Sequence, residues 1–107
     1  LGLALGAKAE TLAGLSGLGD LVLTCASATS RNFSLGQALG EGGRAEDILS
    51  QRLSVSEGAT SAEAVCALAE RAQVHMPICA AVDDILAGRH DVDTAIQNLM
   101  ARPLARE

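Results

Sequence analysis

The chain has 107 residues, 49% of them apolar, with one Phe, no Trp or Tyr, and a formal net charge of −5. That length suits one domain able to bury roughly two thirds of its unfolded surface, and a core limited to Leu, Ala, Val and Ile favours close-packed helices. With Lys8 as the one lysine, the acidic balance excludes a general nucleic-acid binder, whose affinity comes from basic side chains neutralising phosphates.

The sequence opens without Met in Leu1-Gly2-Leu3-Ala4-Leu5-Gly6, an apolar run that reads as the tail of a helix already under way, so a longer chain is expected. Residues 9–15 and 18–26 read as two short helices separated by glycines. In the second, Leu18, Leu21, Val22 and Cys25 recur at helical spacing, and its apolar character predicts burial. Residues 27–30 form a small-residue loop, and Ser30 is placed to cap a helix from 31 to about 39 that Gly40, Gly42 and Gly43 stop.

A short amphipathic helix over 44–51 turns Ile48 and Leu49 inward, and an extended piece over 53–58 follows. Thr60 and Glu63 have capping-box spacing before a helix to about 72 with Val65, Leu68, Ala69 and Ala72 on one face. Pro77 opens a helix carrying Ile78, Val82, Ile85 and Leu86, which Gly88 ends. Asp91 caps the last helix, in which Val92, Ala95, Ile96, Leu99 and Met100 keep helical spacing until Pro103, and Arg102 lies near its negative end. The expected architecture is all-α: one helical domain over 1–107, with six or seven helices and no strand pair.

No apolar stretch reaches the ~18 residues needed to span a bilayer, and the start lacks the basic region of a signal peptide. Cys25, Cys66 and Cys79 are widely spaced, lie in apolar helical patterns and lack ligand spacing, so they read as reduced core thiols of a cytoplasmic protein. His75 and His90 have no ligand partners at metal-binding spacing, and no metal is expected. Glu46-Asp47 and Asp83-Asp84 read as solvated helix faces, and Lys8, Arg71 and Arg89 as scattered charges.

Two features carry chemistry. Asp20 is a carboxylate directly before Leu21-Val22-Leu23; it reads either as an N-terminal helix residue favoured by the dipole or as a group that orients a substrate hydroxyl or a lysine. Ser30-Arg31-Asn32 gathers hydroxyl, guanidinium and amide donors at a helix start, where backbone N–H groups are already unpaired, a set matched to a phosphate.

Taken together, Gly14-Leu15-Ser16-Gly17-Leu18-Gly19-Asp20-Leu21-Val22-Leu23-Thr24-Cys25, Ser30-Arg31-Asn32 and Gly36 closely resemble the signature of bacterial NAD(P)-dependent glycerol-3-phosphate dehydrogenases. Val55-Ser56-Glu57-Gly58 resembles that family's Val-x-Glu-Gly segment, and Met76-Pro77-Ile78 its Met-Pro-Ile. The resemblance spans essentially the whole chain and is to the family's helical, substrate-binding C-terminal domain.

What it implies is reversible hydride transfer between NADH or NADPH and dihydroxyacetone phosphate, giving sn-glycerol 3-phosphate, a phospholipid precursor. Asp20 and Thr24 match positions around the reacting carbonyl. Asp20, Ser30, Arg31 and Asn32 match substrate-binding positions, with Arg31 on the phosphate and near the cofactor. Val55 and Glu57 match positions bordering the dinucleotide. The resemblance also implies a Gly-rich nucleotide-binding domain and a general-base lysine upstream. Neither is in this sequence, and Lys8 is in the wrong place to be that lysine, so the chain alone is expected to be inactive. Phe33 and Ser34 depart from the basic residues many relatives carry after Ser-Arg-Asn. The alternatives are the helical domain of a sister reductase, of the 6-phosphogluconate or ketopantoate type, and a helical interaction module; a homodimer is compatible with both.

Overall fold

A computed structural model describes residues 1–27, 29–51 and 56–103. They form seven α-helices: α1 (Ala9–Ala13), α2 (Asp20–Ala26), α3 (Arg31–Gly40), α4 (Ala45–Gln51), α5 (Ser56–Arg71), α6 (Pro77–Leu86) and α7 (Val92–Met100). A 3-10 turn, Leu3–Leu5, precedes α1, and a π-helical turn, Leu15–Gly19, joins α1 to α2. There is no strand among the described residues, as the apolar periodicity predicts.

Helix ends follow local chemistry. The Ser30 hydroxyl accepts the Phe33 amide at 3.3 Å to start α3, and the Asp91 carboxylate accepts that of Thr94 at 2.7 Å to start α7. Pro77 occupies the first turn of α6, where its missing N–H costs nothing. The far end of α6 closes at Gly88, whose φ is 69°: the Arg89 N–H donates to the Asp84 carbonyl at 2.8 Å and the Gly88 N–H to that of Ile85 at 3.1 Å. The same closure ends α5, with the Val74 and Gln73 N–H groups on the Ala69 and Glu70 carbonyls, but there a glutamine takes the left-handed position at φ 52°.

The main helix contacts run in a line, from α1 through the π turn to α2, α3, α4 and α6, with α5 and α7 flanking α6. This arrangement leaves much of the chain open. Only Leu35, Ala69 and Ala95 form a buried apolar core among the described residues. The solvent-accessible surface is 8129 Å², against about 5600 Å² for a compact protein of this mass. The radius of gyration, 14.7 Å, exceeds the roughly 13 Å expected at this length.

Five sequence expectations are corrected. The segment around α2 is not buried: Leu21, Val22 and Leu23 are exposed, because no helix with main contacts to α2 other than α3 lies over it. Cys25 is exposed with them, while Cys66 and Cys79 are half-buried; all three are free thiols. The second helix starts at Asp20 rather than 18, since Leu18 and Gly19 belong to the wider π turn. Residues 56–58 are helical rather than extended, so Thr60 lies inside α5 rather than at its start; the alanines from 59 onward favour helix there. The remainder of the expected extended piece, 53–55, lies outside the described residues. The apolar opening run forms a 3-10 turn closed at Gly6, not an α-helical tail.

Candidate functional site

The sequence-predicted residues fall on two packed helices. Asp20 is the first residue of α2 and Thr24 lies one turn on, which at 1.5 Å per residue separates them by about 6 Å along the axis. The chain then turns through Ser27, whose carbonyl accepts the Ser30 N–H at 2.9 Å, into α3, which packs on α2. Arg31 and Asn32 occupy the first turn of α3 and are exposed; Thr24 and Ser30 are half-buried. Asp20 is exposed, so the cost of an unpaired buried charge does not arise in this chain.

The start of α3 is already organised. Besides the Ser30 cap, the Ser34 hydroxyl donates to the Arg31 carbonyl at 3.0 Å, and the Ser27 hydroxyl lies 2.6 Å from that of Thr29. The cap takes the Phe33 N–H, one of the first-turn donors, all of which point along the helix axis toward whatever meets that end. A helix of ten residues presents there the positive end of its dipole, beside a guanidinium, an amide and a hydroxyl. This set can hold an anion of phosphate size. By contrast, α2 does not start as a free helix end: the Asp20 N–H donates to the carbonyls of Leu15 and Gly17. The reading of Asp20 as a dipole-favoured N-terminal residue is correspondingly weaker.

Glu57 stands in the first turn of α5, away from the α2–α3 pair in sequence, and Val55 lies outside the described residues. A cleft of about 840 Å³ lies away from this site. It opens between the α3–α4 and α6–α7 turns, lined by Leu39, Arg44, Glu46, Arg89, His90 and Asp91 among others. Both of its arginines have carboxylate neighbours: Arg44 lies 3.8 Å from Glu46, both exposed, and Arg89 is bound to both Asp83 and Asp84. That pairing leaves little for an anionic ligand.

Sequence reading missed this second cluster. Asp83 and Asp84 are not solvated charges: Asp83 keeps 18% side-chain exposure under the Arg89 guanidinium, and the His90 Nδ1 lies 3.4 Å from Asp84. The Arg89 hydrogen bond holds the Asp84 carboxyl below its usual range, and the Asp84 and Asp83 carboxylates raise Arg89. Burial, followed by the charge of Asp83, pushes the Cys66 thiol up, which makes it a poor nucleophile. Among the described residues no group of three His, Cys, Asp or Glu could hold a metal, and no helix is long and apolar enough to cross a membrane.

Residues 1–97 match the profile of the family described as NAD-dependent glycerol-3-phosphate dehydrogenase C-terminus. The chain is 62% identical over its full length to glycerol-3-phosphate dehydrogenase [NAD(P)+] of Maricaulis maris, covering 32% of that protein, and 57% identical to that of Rhodospirillum rubrum, covering 31%. It superposes on the crystal structure of glycerol-3-phosphate dehydrogenase from Coxiella burnetii with a TM-score of 0.84 and 41% identity, over 94% of this chain and 31% of that one. The chain thus spans about a third of the length of the relatives it matches. On the strength of the profile match and these identities, it belongs to the C-terminal-domain family of the NAD-dependent glycerol-3-phosphate dehydrogenases.

Proposed function

We propose that these 107 residues are the helical, substrate-binding C-terminal domain of an enzyme that interconverts dihydroxyacetone phosphate and sn-glycerol 3-phosphate with NADH or NADPH, supplying a phospholipid precursor in the cytoplasm. The observation that carries the reading is the packing of α2 on α3, which sets Asp20 and Thr24 along one helix and Ser30, Arg31 and Asn32 at the start of the next. The substrate has matching ends. Arg31, with the Ser30 and Asn32 side chains, binds its phosphate, and Asp20 and Thr24 border its carbonyl carbon. Fixed donors on the phosphate then use binding energy to position that carbon.

The nicotinamide, when bound, supplies the hydride. None of the described residues forms the strand and Gly-rich turn that cradles a dinucleotide, so its main binding surface belongs to the nucleotide-binding domain expected upstream, with Arg31, Val55 and Glu57 at the border. The general-base lysine belongs there too, and the isolated chain is inactive on this reading. The open apolar surface of α1, the π turn and α2 is where that other domain packs. The same surface favours a second reading, a helical module that pairs with a copy of itself; concentration-dependent dimers of the chain without phosphate-ligand affinity would favour it.

The test is NADH and NADPH oxidation by the full-length protein with dihydroxyacetone phosphate, comparing wild type with Arg31→Ala. Loss of a charge-assisted phosphate contact removes about 1.5 to 3 kcal/mol, roughly one to two decades in kcat/KM. A folded full-length protein without turnover overturns the dehydrogenase reading and leaves a sister reductase in its place.

A further inference from the structure

Helix α2, which carries Asp20 and Thr24, grows directly out of the π turn Leu15–Gly19. The turn is closed by two bonds that reach back five residues, from the Gly19 N–H to the Gly14 carbonyl at 3.2 Å and from the Asp20 N–H to that of Leu15. Such turns are rare and are kept mostly at functional sites. Side-chain packing within this chain does not account for it: Leu15 is 92% exposed, and Leu18 is exposed as well. Glycines at 14, 17 and 19 also raise the entropy cost of ordering the segment.

What fixes the turn is a backbone contact. A Cβ on Gly17 would lie 2.2 Å from the carbonyl oxygen of Leu12 and 2.8 Å from its carbonyl carbon, so α1 and the turn meet main chain to main chain. No change of rotamer relieves a clash of that kind; one backbone must move. At Gly14, the pivot between α1 and the turn, a Cβ would stand 3.3 Å from the Glu10 carbonyl oxygen, a displacement of a few tenths of an ångström rather than a rebuilding.

We infer that Gly17 is a positioning residue: its contact with the Leu12 backbone sets the direction in which α2 leaves the π turn, and so places Asp20 and Thr24 at the reacting end of the substrate. The inference rests on the dehydrogenase reading. It separates the two ends of the site, because the phosphate end is held independently, by the Ser30 cap on α3. Disturbing Gly17 therefore acts on the chemical step and spares phosphate binding.

The experiment is steady-state kinetics of the full-length enzyme and its Gly17→Ala and Gly14→Ala variants, with NADH and with NADH deuterated at the transferred position. Gly17→Ala lowers kcat by about ten- to a hundredfold, since a misplacement near 1 Å is enough for that. It leaves the KM for dihydroxyacetone phosphate within about twofold and raises the deuterium isotope effect on kcat as hydride transfer becomes rate-limiting. Gly14→Ala shifts kcat and the isotope effect the same way by less and likewise leaves KM in place. A merely unstable variant lowers the active fraction without changing the isotope effect, and if Gly17→Ala does not fold, Gly14→Ala decides. An active wild type whose folded glycine variants keep its kcat and isotope effect overturns the inference alone; a folded wild type without turnover overturns the dehydrogenase reading and the inference together.

Discussion

The first 26 residues and the three helices from Ser56 to Met100 draw on the same apolar alphabet and reach opposite ends. In α5, α6 and α7 the small residues Ala69 and Ala95 are buried, and the α6–α7 turn is tied by Arg89 to Asp83 and Asp84. In the N-terminal arm, Leu3, Leu5, Leu12, Leu15, Leu18, Leu21, Val22 and Leu23 are all exposed, and the arm's main contact with the rest is that of α2 with α3. The C-terminal region finds some of its partners within these 107 residues, although Ile78, Ile96 and Met100 stay exposed. The other is built to find them elsewhere, which fits a chain that spans a third of its relatives.

The largest effect that would break this contrast is a single truncation measured twice. Leu23, 71% exposed, carries almost no packing here, so Leu23→Ala changes the stability of the 107-residue chain by no more than about 0.5 kcal/mol in urea unfolding. On the proposed reading, in which another domain covers the arm of the full-length protein, the same change costs about 2 to 5 kcal/mol there. Equal effects in both would mean that α2 is a solvated helix and no docking face.

A smaller pair sharpens the account of the C-terminal region. Gly88 and Gln73 hold the same left-handed position in the same helix-ending hydrogen-bond pattern. Gly88→Ala is predicted to destabilise by about 1 to 2 kcal/mol, the cost of a side chain in that conformation. Gln73→Gly is predicted to stabilise by about 0.5 kcal/mol, because relief of strain exceeds the added entropy of an unfolded glycine. Thermal melts that move the two the same way would contradict the assignment.

The smallest effect is acid sensitivity. Arg89 lowers Asp84, and the Thr94 amide, with its hydroxyl, lowers Asp91. Groups depressed on folding contribute stability that is complete above the ordinary value of 3.8 and is lost as pH falls through the lower folded values. The melting temperature should thus be insensitive to these groups near neutrality and fall only in that acid window. Asp84→Asn flattens part of the fall; an unchanged acid limb would show that the Arg89 clamp contributes nothing.

Much of this was legible in the sequence because it is local. Ser30 and Asp91 as caps, Pro77 as a first-turn residue and Gly88 as a stop each follow from one residue's own chemistry. The family signature singled out Asp20, Thr24 and Ser30 to Asn32 as candidates, and the two helices that carry them are in contact. The π turn was not legible, since it depends on glycine letting Gly17 meet the Leu12 backbone, a tertiary contact. Nor was the exposure of Leu21 to Leu23: an apolar face shows that a helix seeks cover, not what covers it. The start of α5 was misplaced because a capping-box spacing at Thr60 and Glu63 occurs here inside a continuous alanine-rich helix.

The most direct test is backbone hydrogen exchange over residues 9–26, followed in the 107-residue chain at low concentration and in the full-length protein. The account predicts fast exchange of the arm in the short chain, well ahead of α6 and α7, and strong protection in the full-length protein without concentration dependence. Equal exchange of the arm in both proteins, fast or slow, would contradict the claim that these residues are the docking face for the rest of the enzyme.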